Sequence, residues 1–260
     1  MRKTLSVVLA VFNEEKNLAD CLNSIKNIAD EIIIVDGGST DKTVEIAKKY
    51  GAKIIKTNNP PIFHINKNKA IDGASKDWIL QLDADEQVSP ALTQEIKTVI
   101  ELEEFDGYWI PRSNFFLGRF LKKGGQYPDY TLRLYKKGKG RLPAKDVHEQ
   151  AIVDGKVGFL RNDLLHYRDK NFGKYLDGLN RYTSILTINF KNDNLGINPV
   201  SFIDYFLVKP TWWFFKTYFR HLGFVDSWQG FVFSFFSSLR FPIAYYKYWT
   251  CLPAGRRKNA

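Results

Sequence analysis

An apolar segment that ends in alternating acids is the feature of this sequence that most directly indicates chemistry. Residues 78–82 have the pattern of a buried strand, and Asp83 and Asp85 follow with one alanine between them. Carboxylates at the exit of a buried strand are costly unless a cation balances them. At the end of a strand in an open α/β sheet, two such aspartates can hold a divalent ion and, through it, a nucleotide diphosphate. The alternative is a surface turn with solvated acids.

Two more predicted strands end in polar clusters. Residues 5–12 form an apolar run that leads into Asn13, which suits a helix cap, and residues 31–35 lead into Asp36. An amphipathic helix follows each strand. Because right-handed crossovers place the carboxyl ends of parallel strands on one edge, the sequence predicts an α/β sheet with a polar ligand edge. The side chains expected there are Asn13, Glu14, Asp36, Asp41, Asp83 and Asp85.

The three motifs, at residues 10–15, 35–43 and 82–86, resemble the nucleotide-sugar-binding half of family 2 glycosyltransferases, which are inverting enzymes with a GT-A fold. The resemblance implies that Asp36 contacts the nucleoside and that Asp83 lies near the ribose and diphosphate. It also implies that Asp85 is the main ligand of Mg²⁺ or Mn²⁺. The sequence departs from the family pattern at Gly37, where many relatives carry a second acid. The first motif contributes further candidate substrate-binding residues, which are Val11, Asn13 and Glu14.

The middle of the chain is similar to a bacterial branch of this family that adds sugars to the lipopolysaccharide core. The similarity lies in residues 124–129 and 131–135 and in the pair His148 and Glu149. Transfer with inversion needs a general base that takes the proton of the acceptor hydroxyl. Glu149 is the first candidate and Asp129 the second, each against the alternative of an ordinary surface carboxylate. His148 either binds the metal or diphosphate or is structural.

Basic side chains near the expected site have two interpretations each. Arg133 can clamp phosphate oxygens of the departing diphosphate, or it can point outward from its strand. Lys67 and Lys69 can contact the nucleotide base or cap the following helix. The cap is the favoured interpretation, and Lys67 is kept as a candidate substrate-binding residue.

The last quarter of the sequence is unusually aromatic. Residues 202–249 hold 20 of the 39 aromatic residues in the chain. The longest uncharged run there is residues 227–239, whereas a membrane-spanning helix needs about 20 apolar residues. We therefore expect helices that lie on an anionic membrane surface, with a homodimer interface as the alternative. The cations expected to form the basic face are Lys209, Lys216, Arg220, Arg240 and Lys247.

Length and composition suggest one large domain with an appendage. The expected division is a GT-A catalytic domain at 1–198, with a nucleotide-sugar half at 1–105 and an acceptor half at 106–198, followed by membrane-associating helices at 199–260. A long amphipathic helix is predicted from residue 172 to residue 190. Two cysteines and no signal peptide favour a cytoplasmic protein, peripheral on the inner face of the cytoplasmic membrane.

The main functional hypothesis is an inverting, metal-dependent glycosyltransferase. Its donor would be a nucleoside diphosphate sugar, with UDP-hexose expected from the resemblance, and its acceptor a lipid-linked saccharide such as the lipopolysaccharide inner core. A polyprenyl-phosphate glycosyltransferase and a non-catalytic membrane-recruitment module are the alternatives. A nucleic-acid partner is not expected, because the basic residues alternate with an apolar stripe instead of lining a groove.

Overall fold

The computed structural model describes residues 2–60, 62–143 and 150–251. Strands and helices alternate along the first part of the chain: β1 (Leu5–Val11), α1 (Leu18–Ile25), β2 (Glu31–Asp36), α2 (Thr43–Lys49), β3 (Lys53–Lys56), α3 (His64–Asp72), β4 (Trp78–Leu82), β5 (Glu86–Val88) and α4 (Pro90–Leu102). Strands then dominate: β6 (Gly107–Phe116), β7 (Arg119–Phe120), β8 (Asp129–Lys136), β9 (Gly140–Arg141), β10 (Ile152–Val153), β11 (Val157–Phe159) and β12 (Leu164–Asp169). The final helices are α5 (Phe172–Asn192), α6 (Pro199–Ile203), α7 (Lys209–Phe215), α8 (Ser227–Ser238) and α9 (Arg240–Cys251).

The main sheet is mixed, with the strand order β3-β2-β1-β4-β8-β6-β12-β5. The pairs β1–β2, β1–β4 and β2–β3 are parallel, whereas β8 is antiparallel to both β4 and β6. In the register, Val11 lies opposite Asp36 and Leu9 opposite Leu82, so the three parallel strands that precede the sequence motifs end on one edge. The predicted α/β sheet is confirmed, and the three motifs follow strands that end on one edge of it.

Both faces of this sheet are covered, which explains why β1 is an unbroken apolar run. Val7 and Leu9 pack with α1 and α4 in one core cluster, whereas Val8 packs with α3 in another. All three side chains are at most 1% exposed. A strand buried on both faces needs apolar residues at every position, and polar residues can begin only where the strand leaves the sheet.

The chain forms two compact units. The first unit comprises residues 1–113 and 129–167, and the second comprises residues 114–128 and 168–260. The first unit holds the parallel strands and the three motifs. The second holds α5 to α9 and the β7 segment. The division into domains at 1–198 and 199–260 stays a prediction.

Helices build the second unit. The long helix predicted from residue 172 is confirmed as α5, whose Asn171 side chain accepts a hydrogen bond from Lys174 N at its start. α9 packs along α5, where Thr187 Oγ1 donates to the carbonyl of Ala244 at 3.2 Å. A continuous helical run covers 199–220, because α6 and α7 are each followed by a π-helical turn, Asp204–Val208 and Lys216–Arg220. Within the described residues, no helix combines the length and apolarity needed to cross a membrane.

Candidate active site

The loops after β1 and β2 are joined by hydrogen bonds. The backbone N–H of Asn13 donates to Ser39 Oγ at 2.9 Å, and Thr40 N donates to Asn13 Oδ1 at 2.8 Å. Glu14 N donates to Thr43 Oγ1 at 2.7 Å. The predicted helix cap at Asn13 is wrong, because α1 begins only at Leu18 and the Asn13 side chain bonds to the neighbouring loop. The first two motifs therefore form one rigid rim.

Asp36 lies at the end of β2 and is only 3% exposed. Its carboxylate accepts hydrogen bonds from the N–H groups of Gly38 and Ser39 at 3.2–3.3 Å, which closes an Asx-type turn. Gly38 has φ +89°, a conformation that favours glycine. A Cβ at Gly37 would lie 3.2 Å from the Cβ of Asn59, so this position is tightly packed.

A buried ion network surrounds Asp83. Lys67 Nζ lies 2.5 Å from Asp83 Oδ1, and the NH2 group of Arg133 lies 2.6 Å from Asp83 Oδ2. The same NH2 group donates to Glu86 Oε1 at 3.0 Å, and Asp83 N donates to Glu86 Oε2 at 2.9 Å. Lys67 is 5%, Arg133 7% and Glu86 0% exposed. Four charged side chains thus balance one another where burial would otherwise make them costly.

Arg112 extends the network to Asp129. Its NH1 group lies 3.3 Å from Glu86 Oε1, and its Nε and NH2 groups donate to Asp129 Oδ2 at 3.0 and 2.6 Å. Glu86 therefore serves both arginines. Three carboxylates and three cations together form a balanced cluster, namely Asp83, Glu86, Asp129, Lys67, Arg112 and Arg133.

The pairing shifts the ionisation of the buried groups. Burial by itself raises the pKa of Asp83, but Arg133 and Lys67 outweigh it and hold that pKa well below its ordinary value. Burial lowers the pKa of Lys67, and Asp83 offsets this only in part. Burial also opposes the charge on Arg133, yet Asp83 and Glu86 raise its pKa overall. Asp83 is consequently an ionised acceptor held by two fixed donors.

Asp85 faces a histidine from a different strand. His166 lies on β12, is 8% exposed, and its Nε2 is 3.6 Å from Asp85 Oδ2. Tyr167 N also donates to the backbone carbonyl of Asp85 at 2.8 Å, which fixes β12 beside the third motif.

This donor set suits a divalent ion. A carboxylate and an imidazole are both metal ligands, and Mg²⁺-type sites commonly use one or two carboxylates together with substrate phosphate oxygens. Within the described part of the chain, no group of three or more acidic, histidine or cysteine side chains could hold a metal. Asp85 and His166 are two side chains that could hold such an ion together with phosphate oxygens of a substrate.

The structure brings most of the predicted site residues together. Val11, Asn13, Glu14 and Asp36 share one rim, and the third motif delivers Asp83 and Asp85 at the same edge of the sheet. Lys67, Arg133 and Asp129 belong to the ion network. The favoured cap interpretation of Lys67 is wrong, because the residue is buried within α3 and its ammonium group binds Asp83.

His148 and Glu149 lie outside the described residues. The chain on either side of them is anchored by amide side chains. Asn68 both donates to and accepts from the backbone of Leu142, at 2.9 and 3.1 Å. Gln150 Oε1 accepts from Thr131 Oγ1 at 3.1 Å.

The sequence-based prediction missed three residues, Glu86, Arg112 and His166. Glu86 directly follows the acidic motif, and that position was an available signal. Arg112 and His166 lie on strands that also carry other polar residues, and their sequence positions do not reveal what they contact.

A mixed sheet with acids at the ends of its parallel strands is typical of the GT-A fold. Comparison of the chain with known protein families and solved structures leads to the same assignment. The model of the family described as "Glycosyl transferase family 2" matches residues 6–167. The chain therefore belongs to glycosyl transferase family 2, and it is a glycosyltransferase.

Two relatives match nearly the whole chain. An uncharacterized glycosyltransferase of Rickettsia typhi, RT0209, is 30% identical over 247 residues, which cover 88% of this chain and 81% of the relative. The lipopolysaccharide core biosynthesis glycosyltransferase LpsC of Rhizobium meliloti is 28% identical over 250 residues, 91% of each protein.

The crystal structure of S. aureus TarS superposes with a TM-score of 0.50 and 14% identity. The match covers 91% of this chain and 55% of TarS, so this chain spans about half of that protein. At this identity the match shows the fold alone.

Proposed function

We propose that the protein transfers a sugar, with inversion, from a nucleoside diphosphate sugar to a saccharide of the lipopolysaccharide core. The observation that carries the proposal is the arrangement of Asp83 and Asp85 at one sheet edge. There Asp83 is held by Lys67 and Arg133, and Asp85 faces His166. The family resemblance favours UDP-hexose as the donor. The acceptor class is supported by the name of LpsC, which matches over 91% of both chains.

The donor end of the reaction depends on fixed charges. Lys67 and Arg133 hold the Asp83 carboxylate in one orientation, which suits it to accept hydrogen bonds from ribose hydroxyls. Asp85 and His166 would hold Mg²⁺ or Mn²⁺, which when bound supplies positive charge against the diphosphate that leaves. Arg133 is 7% exposed and pairs with two carboxylates, so its observed contacts support a role in positioning Asp83.

The acceptor hydroxyl needs a general base, and Glu149 and Asp129 are the two candidates. The contacts of Asp129 within the ion network help to choose between them. Asp129 Oδ2 accepts two hydrogen bonds from Arg112, so this oxygen is already committed to an ion pair. Glu149 is therefore the proposed base. It would take the proton of the acceptor hydroxyl as that oxygen displaces the nucleoside diphosphate.

A panel of nucleotide sugars tests the donor half. Binding raises the melting temperature with the logarithm of ligand concentration over the dissociation constant, so each donor is added with and without Mn²⁺. We expect a UDP-hexose to give the largest shift, and only with metal. Asp85→Asn should abolish the metal-dependent shift. The matched control is Asp154→Asn. The Asp154 side chain is 89% exposed between β10 and β11, so this variant should behave like the parent.

Transfer onto isolated core saccharide tests the acceptor half. Release of nucleoside diphosphate that depends on the saccharide supports the proposal. Transfer onto a polyprenyl phosphate that survives Glu149→Gln would contradict it, because a phosphate nucleophile needs no base. Absence of any metal-dependent nucleotide binding would contradict the donor assignment itself.

A further inference from the structure

The second unit exposes an apolar surface that its own fold does not explain. Along the helical run 199–220, the residues on the open side are spaced three to five apart, and α8 adds two more. We call this surface the aromatic face and define it by Leu207, Trp212, Phe215, Phe219, Trp228 and Phe231. These side chains are 45–61% exposed. A contiguous apolar patch of this kind marks an interaction site more often than a scattered surface residue does.

The opposite side of the same helical run already has its tertiary partners. Tyr205 and Thr217 are buried, at 9% and 2% exposure. Trp213 Nε1 donates to Ser237 Oγ of α8 at 3.1 Å. The helices are thus packed within their own unit, and the aromatic face remains outward after that packing is complete.

Ring contacts make the aromatic face continuous. Phe215 stacks on Phe219 at 5.3 Å between centroids. Phe214 links the run to α8 by an edge contact with Phe231 at 5.9 Å. Phe214 also contacts Phe215 and Phe219, so the rings of Phe215, Phe219 and Phe231 are connected across two helices.

Cations lie beside the aromatic face. Lys216 Nζ is 4.7 Å from the centre of the Trp212 ring, and Arg220 is exposed at the end of the second π-helical turn. The backbone N–H groups of Lys122 and Lys123 donate to the buried carboxylate of Asp226 at 2.9 and 2.7 Å. This contact fixes two exposed lysines next to the start of α8.

Three of the predicted basic residues are bound within their own unit and do not belong to this surface. Lys209 Nζ lies 2.7 Å from Asp204 Oδ2. The Arg240 guanidinium lies 3.7 Å from the centre of the Trp213 ring. Lys247 Nζ donates to Asn180 Oδ1 of α5 at 2.6 Å. The basic face predicted from the sequence is therefore smaller. It keeps the partly buried Lys216 and the exposed Arg220, and the exposed Lys122 and Lys123 add to it.

The net positive charge of the chain comes from the second unit. By sequence, the second unit has 16 lysines and arginines against 5 aspartates and glutamates, a net of +11, whereas the first unit has 22 against 23, a net of −1. A second copy docked on the same face would bring two positive surfaces together, which is unfavourable. An anionic lipid surface is complementary to both the charge and the exposed rings.

We propose that the aromatic face docks the protein on an anionic membrane surface, with its rings in the headgroup region and the adjacent cations against lipid phosphates. This inference goes beyond the proposed transfer reaction, because vesicle binding requires no donor, metal or acceptor.

Vesicle sedimentation with the full chain tests the proposal. The vesicles are phosphatidylcholine alone or phosphatidylcholine with phosphatidylglycerol, at low and high salt. Phe215→Ser combined with Phe219→Ser removes two exposed rings that would insert into the headgroup region, and we expect the partition onto anionic vesicles to fall about tenfold or more. The matched control is Leu102→Ser with Ile152→Ser, two apolar residues of the first unit that are 67% and 66% exposed. The control should bind like the parent.

A charge variant keeps the test decisive if the phenylalanine variant fails to fold by circular dichroism. Lys122→Glu with Arg220→Glu changes only exposed side chains and should lower binding to anionic vesicles and weaken its dependence on salt. Equal binding by the parent, the folded phenylalanine variant and the charge variant would overturn the proposal. A parent dimer in light scattering that becomes monomeric in the phenylalanine variant would also overturn it, in favour of a second copy.

Discussion

The two units of this protein differ in their net charge and in where their charged groups lie. The first unit is close to neutral, and at its site the buried Arg133 and Glu86 pair with each other and with the partly exposed Asp83. The second unit is strongly positive and leaves aromatic residues such as Trp212 and Phe215 exposed. Paired buried charges fix geometry, which chemistry requires, whereas unpaired cations beside exposed rings create a surface that attracts anions. The difference is the basis of the proposal that the first unit carries out the reaction and the second docks the protein on a membrane.

Removing the carboxylate proposed to bind the metal, Asp85, is the largest expected perturbation of the first unit. Asp85→Asn keeps the shape of the side chain but removes one ligand charge, and a catalytic metal contributes several kcal/mol. We expect transfer to fall by about 10³-fold or more. His166→Gln should act in the same direction with a smaller effect. Calorimetric titration of UDP with and without Mn²⁺ gives the binding readout, and unchanged metal-dependent binding in Asp85→Asn would exclude that residue from the site.

Replacing Glu149, the proposed base, is expected to have the next largest effect on the reaction. Glu149→Gln should lower the turnover rate by about 10² to 10⁴ and leave donor affinity nearly unchanged, because a general base acts on the acceptor. Steady-state kinetics with both substrates varied will separate the two parameters. If Asp129→Asn is inactive while Glu149→Gln is active, the base assignment is reversed.

The buried network allows a test of the first unit's stability. Glu86→Gln preserves side-chain volume but leaves Arg112 and Arg133 with less countercharge, so the free energy of unfolding should fall by about 3–5 kcal/mol. Urea unfolding measures it. The exposed pair of Glu45 and Lys49 is the comparison, since Glu45→Gln should change stability by less than about 1 kcal/mol. Similar losses in both variants would mean that the buried network contributes no more than a surface pair.

The smallest expected effect concerns a single cation of the second unit. Arg220→Gln removes one charge beside the aromatic face, and each such charge near an anionic surface contributes about 1 kcal/mol. Partition onto phosphatidylglycerol vesicles should therefore drop about fivefold at low salt and less at high salt. An equal loss for Arg141→Gln, an exposed arginine of the first unit paired with Asp72, would show that the charge effect is not localised.

The sequence predicted the features that depend on local pattern. Apolar runs followed at once by polar clusters identified β1, β2 and β4, and helical spacing identified α5. The misassignments have a common cause, which is long-range contact. Lys67 was interpreted as a cap because the pattern does not show that its ammonium group binds Asp83. Arg112 was missed because its acidic partners lie 17 and 26 residues away.

The same limit applied to the second unit. Its aromatic and basic composition was visible in the sequence, but the pattern assigned Arg240 and Lys247 to the basic face. Only the packing of α9 shows that these two side chains bind Trp213 and Asn180 instead. Composition therefore predicted the kind of surface, and tertiary contacts decide which residues form it.

The most direct test of this division is one variant assayed on two acceptors. Phe215→Ser with Phe219→Ser should retain the parent's rate on a water-soluble core saccharide and lose most of its rate on the same saccharide embedded in anionic vesicles. Asp85→Asn should lose both. Equal rates of the phenylalanine variant and the parent on both acceptors, or an equal loss on both, would contradict the assignment of chemistry to the first unit and membrane docking to the second.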